Sequence, residues 1–213
     1  MTKNTYIDPG ADTTEGYKIS STSRGGLARA VVGNDTPEDR IRQRCAIAVG
    51  DFVMADLMAF TNNPVDAGLW ALSAGAPVIT DIRMVQTGIR KKEHHSDVLC
   101  ALDYGADISE KEGITRTSAG FIALQDQLEN AIVVIGNAPP SALISVCEMI
   151  DKGMMPALVI GTPVGFVNAK ESKELLRTKN VPSISNIGTR GGTPPPAVAS
   201  LNEIITMHLE DRR

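Results

Sequence analysis

A chain of 213 residues with 42% apolar and 22% charged residues has the composition of an ordinary soluble globular protein. Its net charge of −4 argues against nucleic acid as a main partner, because phosphate binding rests on clustered Lys and Arg. Three widely spaced cysteines without a CxxC fit reduced thiols rather than disulfides or zinc, and no apolar run approaches the roughly 20 residues that span a bilayer. With no signal-peptide core at the start, the expectation is a cytoplasmic protein that does not enter membranes. No linker divides the chain, so residues 1–213 are expected to form one domain. At this size roughly 70% of the unfolded chain's surface is buried on folding, which needs no disulfide or metal. Aromatic residues are only 4%, which argues against a site built from aromatic stacking.

In chain order, residues 1–36 are rich in Thr, Ser, Gly and Asp and read as loops, with a short strand or turn near Tyr17–Thr22. The Ser20–Gly26 run is read first as a solvated loop and second as an anion-lining one. Thr36-Pro37-Glu38-Asp39 starts a helix: hydroxyl cap, proline at the first position, acids in the first turn. Ile41, Cys45, Ala48 and Phe52 then form a core stripe, and Ile47 stands off it by about 120° at 100° per residue. Asn63-Pro64 starts a second helix that Gly75 stops. Ala76–Ile82 reads as a strand, Asp97–Leu102 as a further one, and Thr115 or Thr117 caps a helix carrying Phe121, Leu124 and Leu128. The stretch Ala131–Ser172 is the most organised. Two unbroken β-branched runs, Ile132–Ile135 and Leu158–Ile160, each end in a Gly/Pro loop and are separated by a helix-length segment. Runs apolar throughout suit strands covered on both faces, as in a parallel sheet. Ala169–Thr178 is helical, Val181–Ser185 is a last strand, Gly188–Pro196 a loop, and Ala197–Leu209 a terminal helix. The alternation predicts an α/β domain, a single doubly wound, mostly parallel sheet with helices on both faces.

In such sheets ligands bind outside the carboxyl ends of the strands. The loop Gly136-Asn137-Ala138-Pro139-Pro140 opens a helix whose first amides attract anions, and Gly161–Gly165 repeats that design. Neither is GxGxxG or a P-loop, so nucleotide binding is not expected. Arg116 beside Thr115 suits a ligand carboxylate, and Arg190 among Gly188, Gly191 and Gly192 makes a third loop able to reach an acid. A surface pairing of Arg116 with Glu112 or Asp126 is the alternative. Catalytic groups are scarce: His94 and His95 sit in a charged loop, His208 is in the last helix, and Asp81 ends a strand, where it could act as an acid, orient a partner, or cap a turn. The pattern is a pocket of amides and Arg for a polyanionic organic ligand, with no cofactor and no metal.

The loops, taken together, resemble the precorrin-8X methylmutases of cobalamin biosynthesis. The matching pieces are Ala74–Asp81 with Met84-Val85 and Gly88, Thr115-Arg116, Gly136–Pro139, Pro156–Gly161, Pro163–Val167, Glu171-Ser172-Lys173 and Gly191-Gly192. The resemblance implies a flavodoxin-like domain, a homodimer, and a corrinoid bound near the subunit interface. It implies migration of a methyl group from C-11 to C-12 of the macrocycle, giving hydrogenobyrinic acid or its cobalt form. Substrate binding is carried over onto Thr115, Arg116, Gly136, Asn137, Gly165, Phe166, Arg190, Gly191 and Gly192. The family's catalytic histidine, three residues ahead of the Gly50-Asp51 step, is Ile47 here. His95 and Asp81 are the substitute acids the sequence offers, and a tetrapyrrole-binding or carrier relative is the alternative to a mutase.

Overall fold

The computed structural model describes residues 13–33, 35–91, 94–137, 139–192 and 195–212. The first twelve residues, Ala138 and the Thr193-Pro194 step of the Gly188–Pro196 loop therefore lie outside the described residues. In chain order come α1 (Thr14–Ser20), an eight-residue stretch of wider helical turns (Ser21–Ala28), α2 (Arg29–Val32), α3 (Pro37–Val49), α4 (Val53–Leu57) and β1 (Met58–Thr61). Next are α5 (Pro64–Ser73), β2 (Val78–Thr80), α6 (Arg83–Gly88), β3 (Val98–Cys100), α7 (Ala106–Glu112), α8 (Arg116–Ala123) and β4 (Ile132–Ile135). The rest is α9 (Ser141–Asp151), β5 (Leu158–Gly161), α10 (Ala169–Arg177), β6 (Ser183–Asn186) and α11 (Pro195–Asp211).

One six-stranded sheet has the order β1-β6-β5-β4-β2-β3, with β1 antiparallel to β6 and every other pair parallel. Without β1, the parallel strands follow the 2-1-3-4-5 order of flavodoxin-like sheets, whose switch point falls between β2 and β4. The expected doubly wound α/β architecture is therefore present. β1, an edge strand with Met58 buried and its other three residues half-covered, carries no strong apolar run and is not anticipated by the sequence reading.

Side chains of β4 alternate between two cores. Ile132 and Val134 pack with Val78, Ile160, Ile184 and the α11 residues Leu201, Ile204 and Ile205. Val133 and Ile135 face Phe121, Leu124, Leu143 and Cys147 on the other side. Both faces are covered, which is why these strands read as unbroken apolar runs. Removing a Leu or Ile from either core costs about 2–5 kcal/mol.

The N-terminal segment departs from expectation: residues 14–32 are helical, not loop or strand. Thr13 caps α1 by accepting from the Gly16 amide at 3.0 Å. Ser21 and Thr22 then donate their hydroxyls to Lys18 O at 3.0 and 2.8 Å. Such back-bonding loosens a helix and fits the wider turns that follow. Tertiary contact offsets the poor propensity of Gly25 and Gly26: Arg24 is buried and pairs with Glu203 of α11. Glu203 is fully buried and also holds Arg40 and Arg44 of α3, each at 2.9 Å. This three-to-one cluster, invisible to local pattern, docks the segment on the domain.

α3 carries the expected capping box, with the Thr36 hydroxyl on the Asp39 amide and the Asp39 carboxylate on the Thr36 amide. Its core stripe is shorter than the spacing predicts. Ile41 and Cys45 are buried, but Ala48 is exposed, and the helix stops at Val49 with Gly50 in the left-handed region, so Phe52 falls off its stripe and is 42% exposed.

At the amino-end edge of the parallel strands, a cavity of about 430 Å³ is lined by Ser73, Gly75, His95, His208 and Arg212, with Leu72 and Ala74. Ser73 Oγ donates to Leu69 O at 2.9 Å, so the 3.4 Å contact with His208 has Nδ1 as its proton donor. The other ring nitrogen, Nε2, is buried without a partner. Burial, then the charge of Arg212, holds the His208 imidazole below its ordinary value. With a lowered folded pKa, the unfolded chain binds more protons, so this group's stability is present above the ordinary histidine value and lost as pH falls through it. We expect acidification below about pH 6.5 to lower the melting temperature, and His208→Met to reduce that acid sensitivity in thermal melts across pH. An unchanged slope in the variant would assign the sensitivity elsewhere.

Candidate functional site

The switch point between β2 and β4 is closed by one carboxylate. Asp81, only 1% exposed, follows β2 directly. Its Oδ2 accepts from the amides of Gly136 at 3.0 Å and Asn137 at 2.7 Å, both just past β4, and its Oδ1 accepts from the Ile82 amide at 2.8 Å. Burial pushes this carboxyl up to about 6, and the three amides oppose the rise. With both oxygens committed to backbone and almost no exposure, Asp81 is an anchor for the Gly136 loop. The expected role as a partner-orienting residue fits this geometry; the role of proton donor to a ligand does not.

Next to that anchor lies a group of hydroxyls. Thr115 caps α8 through the Ser118 amide at 3.3 Å, and its Oγ1 lies 2.9 Å from Ser118 Oγ, 3.3 Å from Thr117 Oγ1 and 2.8 Å from Ser141 Oγ. The last contact joins the start of α8 to the start of α9, whose leading amides lack intrahelical partners. Arg116 follows the cap, is exposed, and donates from Nη2 to Leu102 O at 3.0 Å. It pairs with neither Glu112 nor Asp126, so its remaining donors face solvent beside the hydroxyls. Arg83, two residues past Asp81, is a further cation on this edge and is paired with Asp103.

The loops after β5 and β6 complete the rim. Gly165 donates its amide to Thr189 O at 3.1 Å, and Gly192 donates to Thr162 O at 2.8 Å, so the two loops are tied to each other. Gly191, at φ 152°, sits so close to Thr162 that a Cβ there would lie 2.4 Å from the Thr162 carbonyl oxygen. Only glycine fits. Phe166 is 95% exposed between Val164 and Val167, which are exposed as well. Arg190 reaches Asp51, just past α3, at 3.1 Å. That ion pair draws the end of α3, with Ile47 at 39% exposure, to the same rim.

All nine residues expected to bind substrate, Thr115, Arg116, Gly136, Asn137, Gly165, Phe166, Arg190, Gly191 and Gly192, therefore belong to loops or helix starts at the carboxyl-end edge. His95 does not. It lies three residues before β3, at the amino-end edge, where it lines the His208 cavity, so it is corrected as a candidate acid for this site. Sequence reasoning passed over Ser141, although it carried a signal, being a hydroxyl that opens a helix after Pro140. Lys173 entered only within the matching piece Glu171-Ser172-Lys173 and was given no role, because a lysine on a charged helix reads as solvent-facing. Among the described residues no group of three or more His, Cys, Asp or Glu is arranged to hold a metal ion, and no helix is long and apolar enough to cross a membrane.

Comparison with known proteins gives the same frame. The family model for precorrin-8X methylmutase matches residues 18–207. A cobalt-precorrin-8 methylmutase of Methanocaldococcus jannaschii is 39% identical, over 92% of this chain and 96% of its own length. A precorrin-8X methylmutase of Pseudomonas aeruginosa is 37% identical, over 79% of this chain and 83% of its own. The crystal structure of a precorrin-8X methylmutase from Thermus thermophilus superposes with a TM-score of 0.82 at 31% identity, covering 92% of this chain and 97% of that one. The chain belongs to the precorrin-8X methylmutase family.

Proposed function

We propose that the chain acts in cobalamin biosynthesis as a precorrin-8X or cobalt-precorrin-8 methylmutase, moving a methyl group from C-11 to C-12 of the macrocycle. The observation that carries the reading is the group at the switch point between β2 and β4: the hydroxyls of Thr115, Thr117, Ser118 and Ser141 gather there beside the exposed Arg116, where a macrocycle bearing several carboxylates would be held. Arg116 offers a fork for one carboxylate, and the exposed Phe166 offers an apolar surface for a ring face. The migration is intramolecular and uses no external acceptor, so binding in one orientation is the chain's main contribution. Any cobalt arrives with the substrate. Apolar groups beside the rim, Phe52 and Val53, are those a second copy of the chain would cover in the expected homodimer. Sedimentation velocity reads that dimer.

The test is incubation of the pure protein with precorrin-8X, or its cobalt form, following the absorption change to the product. Turnover in the wild type that weakens in Arg116→Ala is expected. Neither turnover nor binding of any corrinoid would overturn the reading.

A further inference from the structure

Lys173, on the second turn of α10, is fully buried, and among the described residues no carboxylate lies within ion-pairing distance of it. Its Nζ donates to Arg190 O at 2.6 Å and to Asn186 Oδ1 at 3.2 Å. Asn186, itself fully buried at the end of β6, donates its own Nδ2 to the same Arg190 carbonyl at 2.5 Å. Two interior donors therefore pull one carbonyl inward. A trans peptide is planar, with its N–H directed opposite to its C=O. The N–H of that same peptide unit is Gly191's. It must point away from Lys173, toward the outside of the rim, and among the described residues it has no acceptor. The loop is held in this orientation on its other side by Gly192, whose amide donates to Thr162 O at 2.8 Å.

We propose that Lys173, with Asn186, is a positioning residue that fixes the Gly191 amide outward as a preorganised donor for an acid group of the substrate. The inference rests on the functional reading above and names the subsite within it. A buried ammonium is an expensive way to hold a carbonyl, since desolvation disfavours its charge. It also lends positive potential to the outer face of the loop, where an anion would dock. Burial, then Arg177 one turn on, lowers Lys173 from 10.5 to about 8. The neighbouring elements bring no compensating charge. Arg177 donates to Ser185 Oγ on β6, Asp51 is held by the Arg190 guanidinium, and on α9 Asp151 pairs with Lys179 and Glu148 lies toward the same far end.

The test uses the full chain labelled with ¹⁵N-glycine, with hydrogenobyrinic acid as probe. In the wild type the Gly191 amide resonance should move downfield on adding the probe, as an amide does on donating to a carboxylate. In the free protein it should also titrate with a midpoint near 8. In Lys173→Met the titration should vanish and the response to the probe should weaken, because Asn186 alone still holds the Arg190 carbonyl, while Gly136 still shifts with the probe. Met keeps the length of the stem in the buried site, and the Asn186 bond to Arg190 O remains, so the fold is expected to persist. A thermal melt checks it. If Lys173→Met does not fold, Asn186→Leu, which leaves the lysine bond in place, should weaken the Gly191 response without removing it. A Gly191 amide indifferent to the probe while Gly136 responds would overturn this inference alone. No glycine responding would overturn the functional reading itself.

Discussion

Ile47→His is expected to raise the rate of methyl migration by about 10²–10⁴-fold, the usual contribution of a positioned general acid. That range equals about 3–5.5 kcal/mol of barrier. The resemblance would put the family's histidine at this position, by count from the Gly50-Asp51 step, and Ile47 stands at the last turn of α3, 39% exposed, on the helix end that Asp51 ties to Arg190. The variant costs the fold little. Ile47 lies outside both cores, and an exposed change of this kind usually stays within about 0.5 kcal/mol. Near a helix C-terminus an imidazolium is also favoured by the aligned carbonyls. The added rate should fall as pH rises past about 6.5, where a histidine loses the proton it would donate. Absorption-monitored turnover of wild type and variant, at two pH values, decides it. A rate equal to wild type at both would mean that position 47 does not address the macrocycle.

What the sequence made legible follows from the range of the forces involved. The parallel strands Ile132–Ile135 and Leu158–Gly161 were readable because burial on two faces writes an uninterrupted apolar run. The helix at Thr36 was readable because a capping box is a local bond set within four residues. The rim loops were readable as glycine-rich stretches after strands and as a hydroxyl cap at a helix start. Three things were not. The helical N-terminal segment depends on Arg24 meeting Glu203 across the chain, and nothing within its own window outweighs Ser, Thr and Gly propensity. β1 is held by its antiparallel pairing with β6, from Met58 opposite Asn186 to Thr61 opposite Ser183, rather than by a pattern of its own. The sheet edge that His95 occupies was the third, because sequence position before a strand does not tell the edge until strand direction is known. The two functional anchors, Asp81 and Lys173, share a feature: each is a charged side chain buried by contacts to backbone atoms distant in sequence, so residue type alone points to the surface.

Asp81→Ala is expected to cost about 3–5 kcal/mol of stability and to abolish corrinoid binding. Three backbone amides would lose a charged acceptor, each such bond contributing about 1.5–3 kcal/mol, partly offset by relief from burying a carboxylate. At 213 residues, with about 2–4 °C per kcal/mol, the melting temperature should fall by about 10 °C. Asp81→Asn separates geometry from charge. Its carbonyl oxygen can keep the Gly136 and Asn137 amides while its amide meets the Ile82 N–H, so a smaller loss of about 1–2 kcal/mol is expected. The pH dependence has a definite sign. The folded carboxyl is raised from 3.8 to about 6, so between those values the folded chain binds more protons than the unfolded one. Stability from this group therefore declines as pH rises from 3.8 to about 6 and is flat beyond. Asp81→Asn has no such titration, so the difference in melting temperature between wild type and variant should shrink across that interval. If it stays constant with pH, Asp81 is ionised throughout, and the amides rather than burial set its charge. If Asp81→Ala melts with the wild type, the Gly136 loop has another anchor and the switch point is held by the sheet alone.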